Sequence, residues 1–268
     1  DGKKGTPIPF WKVYKLTVSG FALNYATPVG LMGGEPYRIM ELTPYVGASK
    51  ATSSVILYVM MHIFSHFCFW FFSIFLYLAL RPVDIAMGTI LAVVGAVSLL
   101  AIYFFMKGYK NGMAVRTLKL LQHIPFIKEW AKRFSENKRE ALERVDSQIA
   151  ELHKQRRSTF YASLSLEFMA RIIGCLEVYF ILNILTTDVS FPACILIMAF
   201  TSLFANLFFF SPMQLGAREG GFALAVGGLA IPGAFGVYTG LITRVRELIW
   251  IVIGVLLMKV GNGTPANK

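Results

Sequence analysis

The chain has 268 residues, of which 56% are hydrophobic and 14% aromatic; its mean hydropathy is +0.59 and its formal charge +11. A soluble domain of this length could bury a core without such values, and the charge is not accompanied by any base-reading motif, which excludes nucleic-acid recognition as the purpose of the basic residues. Cys68, Cys175 and Cys194 are odd in number and fall in apolar stretches, which argues against a disulfide framework and against a metal cluster.

Residues 1–15 are polar and basic, with Lys3, Lys4, Lys12 and Lys15. The chain starts at Asp1 and is expected to lack its native N-terminal start, and with it a first span. Leu16 to Met32 is apolar but interrupted by Gly20, Pro28 and Gly30, and it is marginal for a full crossing, so a re-entrant or broken helix is expected. Glu35 to Lys50 then reads as an exit segment broken by Pro36, Pro44 and Gly47.

Three runs carry no Asp, Glu, Lys or Arg: Thr52 to Leu80, Ile85 to Met106, and Val189 to Phe210. A spanning helix needs about 20 apolar residues, so each run is long enough, and the lack of strict alternation sets aside a transmembrane barrel. Helices are therefore expected over 52–80 and 85–106, joined by a tight turn at Arg81-Pro82-Val83-Asp84. Lys107 to Arg157 holds thirteen Lys/Arg against six Asp/Glu and reads as a cytoplasmic loop obeying the positive-inside rule. A surface for lipid headgroups is compatible with it. Within it, residues 136–157 place Leu142, Val145, Ile149 and Leu152 at helical steps, the pattern of an amphipathic helix.

The second half shows expected spans at 159–185, 190–210 and 234–258, with a Gly-rich segment over 211–233. The fold class is thus all-α: a polytopic transmembrane helix bundle with two broken or re-entrant helical segments forming a pseudo-repeat. The whole chain is one membrane domain, with a first half over 1–106, the basic loop over 107–157, and a second half over 158–260. The tail from Gly261 is expected to be disordered. The expected location is the cell inner (cytoplasmic) membrane, multi-pass.

Two stretches follow the same plan about 184 positions apart: Pro28-Val-Gly-Leu-Met-Gly-Gly-Glu35 and Pro212-Met-Gln-Leu-Gly-Ala-Arg-Glu219. Each places a Glu seven residues after a Pro, with an Arg close by, Arg38 in the first and Arg218 in the second. Ionisable groups at membrane depth cost about 2.5–3.5 kcal/mol each on insertion scales, so they persist when paired or functional. Broken helices also expose free N–H groups that attract anions, and transporters place such segments around a midplane site. A Gly-rich packing surface accounts for Gly220, Gly227 and Gly228 equally well. It does not account for Arg218-Glu219 or for Gly33-Gly34-Glu35-Pro-x-Arg38.

Other charges fall inside expected spans. Glu167 and Arg171 lie four apart on one helix and can pair on one face, while Glu177 lies well off that face. Arg244 and Glu247 share a face, whereas Arg246 points elsewhere and needs its own partner. With a second Arg nearby, positive charge is expected in excess around Arg244, to be neutralised by an anionic ligand such as phosphate. His62 and His66 are spaced i, i+4, but no Cys or carboxylate nearby in sequence completes a metal site, and Ile63 stands where a zinc-protease helix carries Glu.

Asn24-x-x-x-Pro28, Gly33-Gly34-Glu35-x-x-Arg38, and later Pro212-x-x-x-Gly216-x-Arg218-Glu219 with Arg244 downstream resemble the lysylphosphatidylglycerol synthase transmembrane-region family over nearly the whole chain. The resemblance implies a flippase-like bundle of about eight membrane segments that moves a lipid between leaflets. It implies Asn24, Glu35, Arg38, Arg218, Glu219 and Arg244 as substrate-binding residues, supported by Pro28, Gly33, Gly34, Pro212 and Gly216. Glu167 and Arg171 are expected, from their own spacing, to support the same bundle. The chain departs from the family pattern at Leu57-Tyr-Val-Met-Met-His62, which has no carboxylate where members often carry charge. The aminoacyl-transfer domain of bifunctional members is absent, so lipid aminoacylation by this chain is not supported.

The expected function is translocation of an anionic or modified phospholipid, or of a polyprenyl-phosphate-linked lipid, without cofactor or metal. The expected partner is that membrane phospholipid or lipid-linked substrate, and self-association into a homo-oligomer is open. A membrane glycosyltransferase-type enzyme and a non-transporting lipid-binding scaffold are the alternatives. The first lacks support because no Asp-x-Asp pair and no Ser/His/Asp set is found.

Overall fold

The computed structural model describes residues 8–26, 33–111, 157–186, 189–208 and 214–259, together with positions 143 and 147. Pro28, Pro212, the amphipathic pattern over 136–157 (apart from those two positions) and the tail after Gly261 lie outside the described residues. Among the described residues eight helices form: α1 (Phe10–Ala26), α2 (Gly34–Val46), α3 (Ala48–Leu80), α4 (Ile85–Asn111), α5 (Arg157–Leu185), α6 (Phe191–Leu207), α7 (Ala217–Gly227) and α8 (Gly233–Lys259). The architecture is an all-α bundle.

Residues 34–46 are helical, where an exit segment was expected. Pro36 sits in the first turn, where a missing N–H costs nothing because no intrahelical partner exists there. Pro44 lies two residues from the end of α2 and is tolerated in its last turn. The break comes instead at Gly47, whose φ of +82° is a left-handed conformation that turns the chain into α3.

Local chemistry sets the other ends. Asp84 Oδ1 accepts from the Met87 amide at 2.7 Å and opens α4. The Ser190 side chain caps α6, with Pro192 in its first turn. Asn183 Nδ2 donates to Tyr179 O (2.9 Å) and Val189 O (3.0 Å), tying the end of α5 to the connection that follows.

Among the described residues three helices are long and apolar enough to cross a membrane: Ala48–Leu80, Ile85–Lys107 and Ser158–Leu185. The third uncharged run behaves differently from expectation. α6 has 17 residues, about 25 Å at 1.5 Å per residue, short of the roughly 30 Å hydrocarbon core. α8 has 27 residues but carries Arg244, Arg246 and Glu247 in its middle.

α3 and α5 are the axis of the bundle. His62 meets Glu167 and Ser65 meets Arg171, so the two helices run parallel. Three apolar clusters bind the bundle together. Met61 and Phe64 of α3 pack on Phe160 at the start of α5. Phe69 packs with Cys175 of α5 and with Ile195 and Ala199 of α6. Val178 and Leu182 meet Ile197 and, from α7, Phe222 and Val226.

Each broken motif is flanked by helices that pack on one another, α1 on α2 and α6 on α7. α8 lies against both α1 and α7 and so brings the two motifs to a common place.

Candidate functional site

The first motif closes around Asn24. Its Oδ1 accepts from the Gly34 amide at 2.7 Å, and its Nδ2 donates to Glu35 Oε1 at 3.1 Å. One side chain therefore bridges the break between α1 and α2. Arg38 Nη1 donates to the same Glu35 oxygen at 3.3 Å. Its Nε and Nη2 reach back to the carbonyls of Leu16 (3.4 Å) and Thr17 (3.3 Å) on α1. The guanidinium also lies 4.9 Å from the ring centre of Tyr58 on α3, a cation–π contact.

Gly34 is required by this approach: a Cβ there would lie 2.2 Å from the Gly20 carbonyl oxygen, and a Cβ on Gly20 would lie 2.4 Å from Arg38 Nε. Glu35 Oε2 is buried and makes no hydrogen bond.

The second motif is built on the N-terminus of α7. Gly216 takes φ +79°, and its amide donates to Glu219 Oε2 at 2.9 Å in a capping box. Glu219 is thereby aimed at α8, where its Oε1 accepts from Arg244 Nη2 at 2.9 Å and Nε at 3.3 Å. Arg244 Nη1 also donates to Glu247 Oε2 at 3.3 Å. Arg218 completes the network by donating to Glu247 Oε1 and, at 3.2 Å, to the Tyr25 hydroxyl. Glu247 is only 3% exposed. Gly240 lets α7 and α8 come this close, because a Cβ there would meet Glu219 Cγ at 3.1 Å.

The two motifs thus meet through neighbouring residues at the end of α1. Asn24 holds the first, and Tyr25 touches the second. All the sequence-derived binding residues fall into these two linked clusters, apart from Pro28 and Pro212, which lie outside the described residues. Gly33 precedes the first residue of α2.

Two expectations need correction. Positive charge is not in excess around Arg244: Arg218 and Arg244 face Glu219 and Glu247, one carboxylate for each guanidinium. Arg246 is matched by Glu177 of α5 at 2.5 Å, the residue set apart from the Glu167 face by its helical angle. Likewise, Glu167 and Arg171 do not pair with each other. Glu167 Oε2 lies 3.3 Å from His62 Nδ1. Arg171 donates to Ser65 Oγ (2.7 Å) and His62 O (2.9 Å), and its Nη1 lies 3.2 Å from His66 Nδ1. The reason is the parallel packing of α3 on α5, which presents both charged residues to a neighbour richer in polar partners than their own helix face.

Tyr25 and Tyr58 were not found by sequence reasoning. Tyr25 adjoins Asn24, and that adjacency was the available signal. Tyr58 gives none, since aromatic residues fill α3. No group of three or more His, Cys, Asp or Glu that could hold a metal ion occurs among the described residues.

Comparison with protein families matches residues 2–254 to the Lysylphosphatidylglycerol synthase TM region. The chain belongs to that family. It is accordingly a multi-pass helical membrane protein, and the family match covers both motif clusters and the basic segment between them. No curated protein and no solved structure matches the chain.

Proposed function

We propose that this member of the Lysylphosphatidylglycerol synthase TM region family is a lipid translocase of the cell inner membrane. Its substrate is an anionic or modified phospholipid, or a polyprenyl-phosphate-linked lipid. The observation that carries the reading is the junction of the two broken motifs, where Tyr25 of the first accepts a hydrogen bond from Arg218 of the second. Helix breaks at membrane depth are sustained where protein covers them, and a buried ionisable residue in a membrane segment marks a pathway more often than a strut.

Charge balance shapes the mechanism. Breaking a buried ion pair by removing one partner costs about 3–5 kcal/mol. A phosphate entering between Arg218 and Arg244 replaces the carboxylates it displaces, and the planar guanidinium fork suits its oxygens. Glu219 and Glu247 are then released to hold positive or hydroxyl groups of the same lipid. The network exchanges partners without leaving either guanidinium unpaired, which keeps the barrier to headgroup passage low while the acyl chains stay in lipid.

The test is translocation of fluorescent phospholipid in proteoliposomes with the Arg218→Ala variant. Loss of most of the wild-type rate, with the protein still monodisperse, supports the reading. A rate unchanged by Arg218→Ala refutes the site.

A further inference from the structure

A second polar region lies apart from the two motif clusters. Between α3 and α5 runs an open groove of about 570 Å³ lined by Ser54, Tyr58, Thr159, Ser163 and Glu167 among apolar side chains. Among the described residues, Glu167 is the only charged one lining it. Its neighbour His62 has a side chain 48% exposed, although it sits near the middle of an uncharged apolar run. Ser54 and Thr159 lie towards the N-terminal ends of the two parallel helices, on the side of the basic segment. His62 is eight residues further along α3, about 12 Å deeper.

The hydroxyls decide what the groove is for. Elsewhere on these helices Thr52 and Ser73 return their hydroxyls to the backbone, to Ala48 O and Phe69 O, at 2.8 Å each. The hydroxyls of Ser54, Thr159 and Ser163 make no hydrogen bond among the described residues. Polar groups facing hydrocarbon without partners are costly, and three of them converge on one groove that ends at a carboxylate. Among the described residues the groove offers acceptors and hydroxyls and is lined by no Lys or Arg. Arg171, four residues beyond Glu167, is turned into α3 by Ser65 and the His62 carbonyl. Arg38 stands behind Tyr58, stacked on its ring. Among the described lining residues a phosphate finds no counter-charge, whereas a group that donates hydrogen bonds finds acceptors.

We propose that the α3/α5 groove binds the distal, hydrogen-bond-donating end of a phospholipid headgroup, a hydroxyl or an ammonium. It leads that end from the basic-segment side of the bundle down to Glu167 and His62. Tyr58 lines this groove and carries Arg38 of the first motif on its ring, so the groove adjoins that motif. The proposal deepens the translocase reading and rests on it for the direction of travel, but binding in the groove is measurable without transport.

The experiment is binding of dioctanoyl lipids to the purified full chain by native mass spectrometry, with three headgroups. Phosphatidylglycerol supplies hydroxyls, phosphatidylethanolamine supplies an ammonium, and phosphatidic acid supplies no group beyond the phosphate itself. Ser163→Leu fills the groove, and Ser54→Leu fills it from the opposite wall. Each is expected to weaken binding of the two donor-bearing lipids at least fivefold and to leave phosphatidic acid within twofold. Glu167→Gln tells the sources apart: a loss confined to phosphatidylethanolamine identifies the ammonium, and a loss extending to phosphatidylglycerol identifies the hydroxyl.

Unchanged binding of both donor-bearing lipids in the leucine variants overturns the proposal, as does an equal loss for phosphatidic acid. A wild-type protein that discriminates among the lipids but moves none of them refutes the translocase and leaves the groove standing. One that moves lipid while the leucine variants bind normally does the reverse.

Discussion

Tyr25 and Arg218 are 193 positions apart in the chain, yet the phenolic oxygen of one lies 3.2 Å from the guanidinium of the other. Arg218 has a stronger partner in Glu247, so the tyrosine is an addition to an ion pair rather than its foundation. Tyr25→Phe is expected to cost about 1 kcal/mol of stability, the net worth of one hydrogen bond, read as a small fall in the thermal midpoint in detergent. Translocation is expected to fall several-fold more than that loss implies, because the contact is where the two motifs join. A transport rate tracking stability alone would make Tyr25 a packing residue.

Glu247 serves two guanidinium groups at once. Glu247→Gln takes from Arg218 its carboxylate partner, leaving the Tyr25 hydroxyl, and from Arg244 the second of its carboxylates beside Glu219. Its expected cost is about 3–5 kcal/mol, as for other buried pairs deprived of one member. Glu177→Gln removes the nearer partner of Arg246 but leaves Glu247 3.9 Å away, and is expected to cost less. Thermal unfolding of the two variants side by side checks the contrast.

Gly34 and Gly174 give opposite expectations for the same substitution. At Gly34 a Cβ would meet the backbone of Gly20, which cannot swing aside, whereas at Gly174 nothing lies within 4 Å. Gly34→Ala is expected to push α2 away from α1 and destabilise by about 2 kcal/mol or more, in the range of overpacked cores. Gly174→Ala is expected to stabilise α5 by about 0.5–1 kcal/mol through helix propensity. Midpoints of thermal aggregation of the two proteins should move in opposite directions.

Gly216 holds the start of α7 in a left-handed conformation and aims Glu219 at Arg244 through the capping box. Gly216→Ala and Gly216→Asn are each expected to cost about 1–3 kcal/mol, because φ +79° with ψ −36° is open to glycine and strained for residues with a Cβ. If both variants lose translocation in proportion to stability, the cap has no role in aiming the carboxylate.

The long helices were legible in the sequence because hydrocarbon imposes long charge-free runs. The charge-free stretches 52–80 and 85–106 became α3 and α4 with ends moved by a few residues. The residues around the breaks came together as their shared pattern suggested. Partner choice was not legible. The i, i+4 rule pairs Glu167 with Arg171, but that rule describes an isolated helix, and in the bundle α3 offers each a closer partner. The surplus of positive charge around Arg244 failed for the same reason: Glu219 is distant in sequence and is delivered by a capping box at the far side of a glycine. Pro36 and Pro44 suggested a broken segment because a proline's effect depends on its place in the helix, and both stand in terminal turns.

α1 packs on α8 so closely that a Cβ on Gly254 would lie 2.6 Å from both Ala22 Cβ and Val18 O, and Ser19 Oγ donates to the Gly254 carbonyl at 3.1 Å. The earliest and latest helices of the bundle are therefore each other's neighbours. While the chain is being synthesised, α1 must wait in the bilayer through every intervening helix before its own docking surface exists. Tyr25 meets Arg218 in the finished arrangement only after α8 has arrived with Glu247. Assembly of the charged centre thus waits for α8, and a nascent chain stalled before residue 233 would hold its first motif with one flank bare.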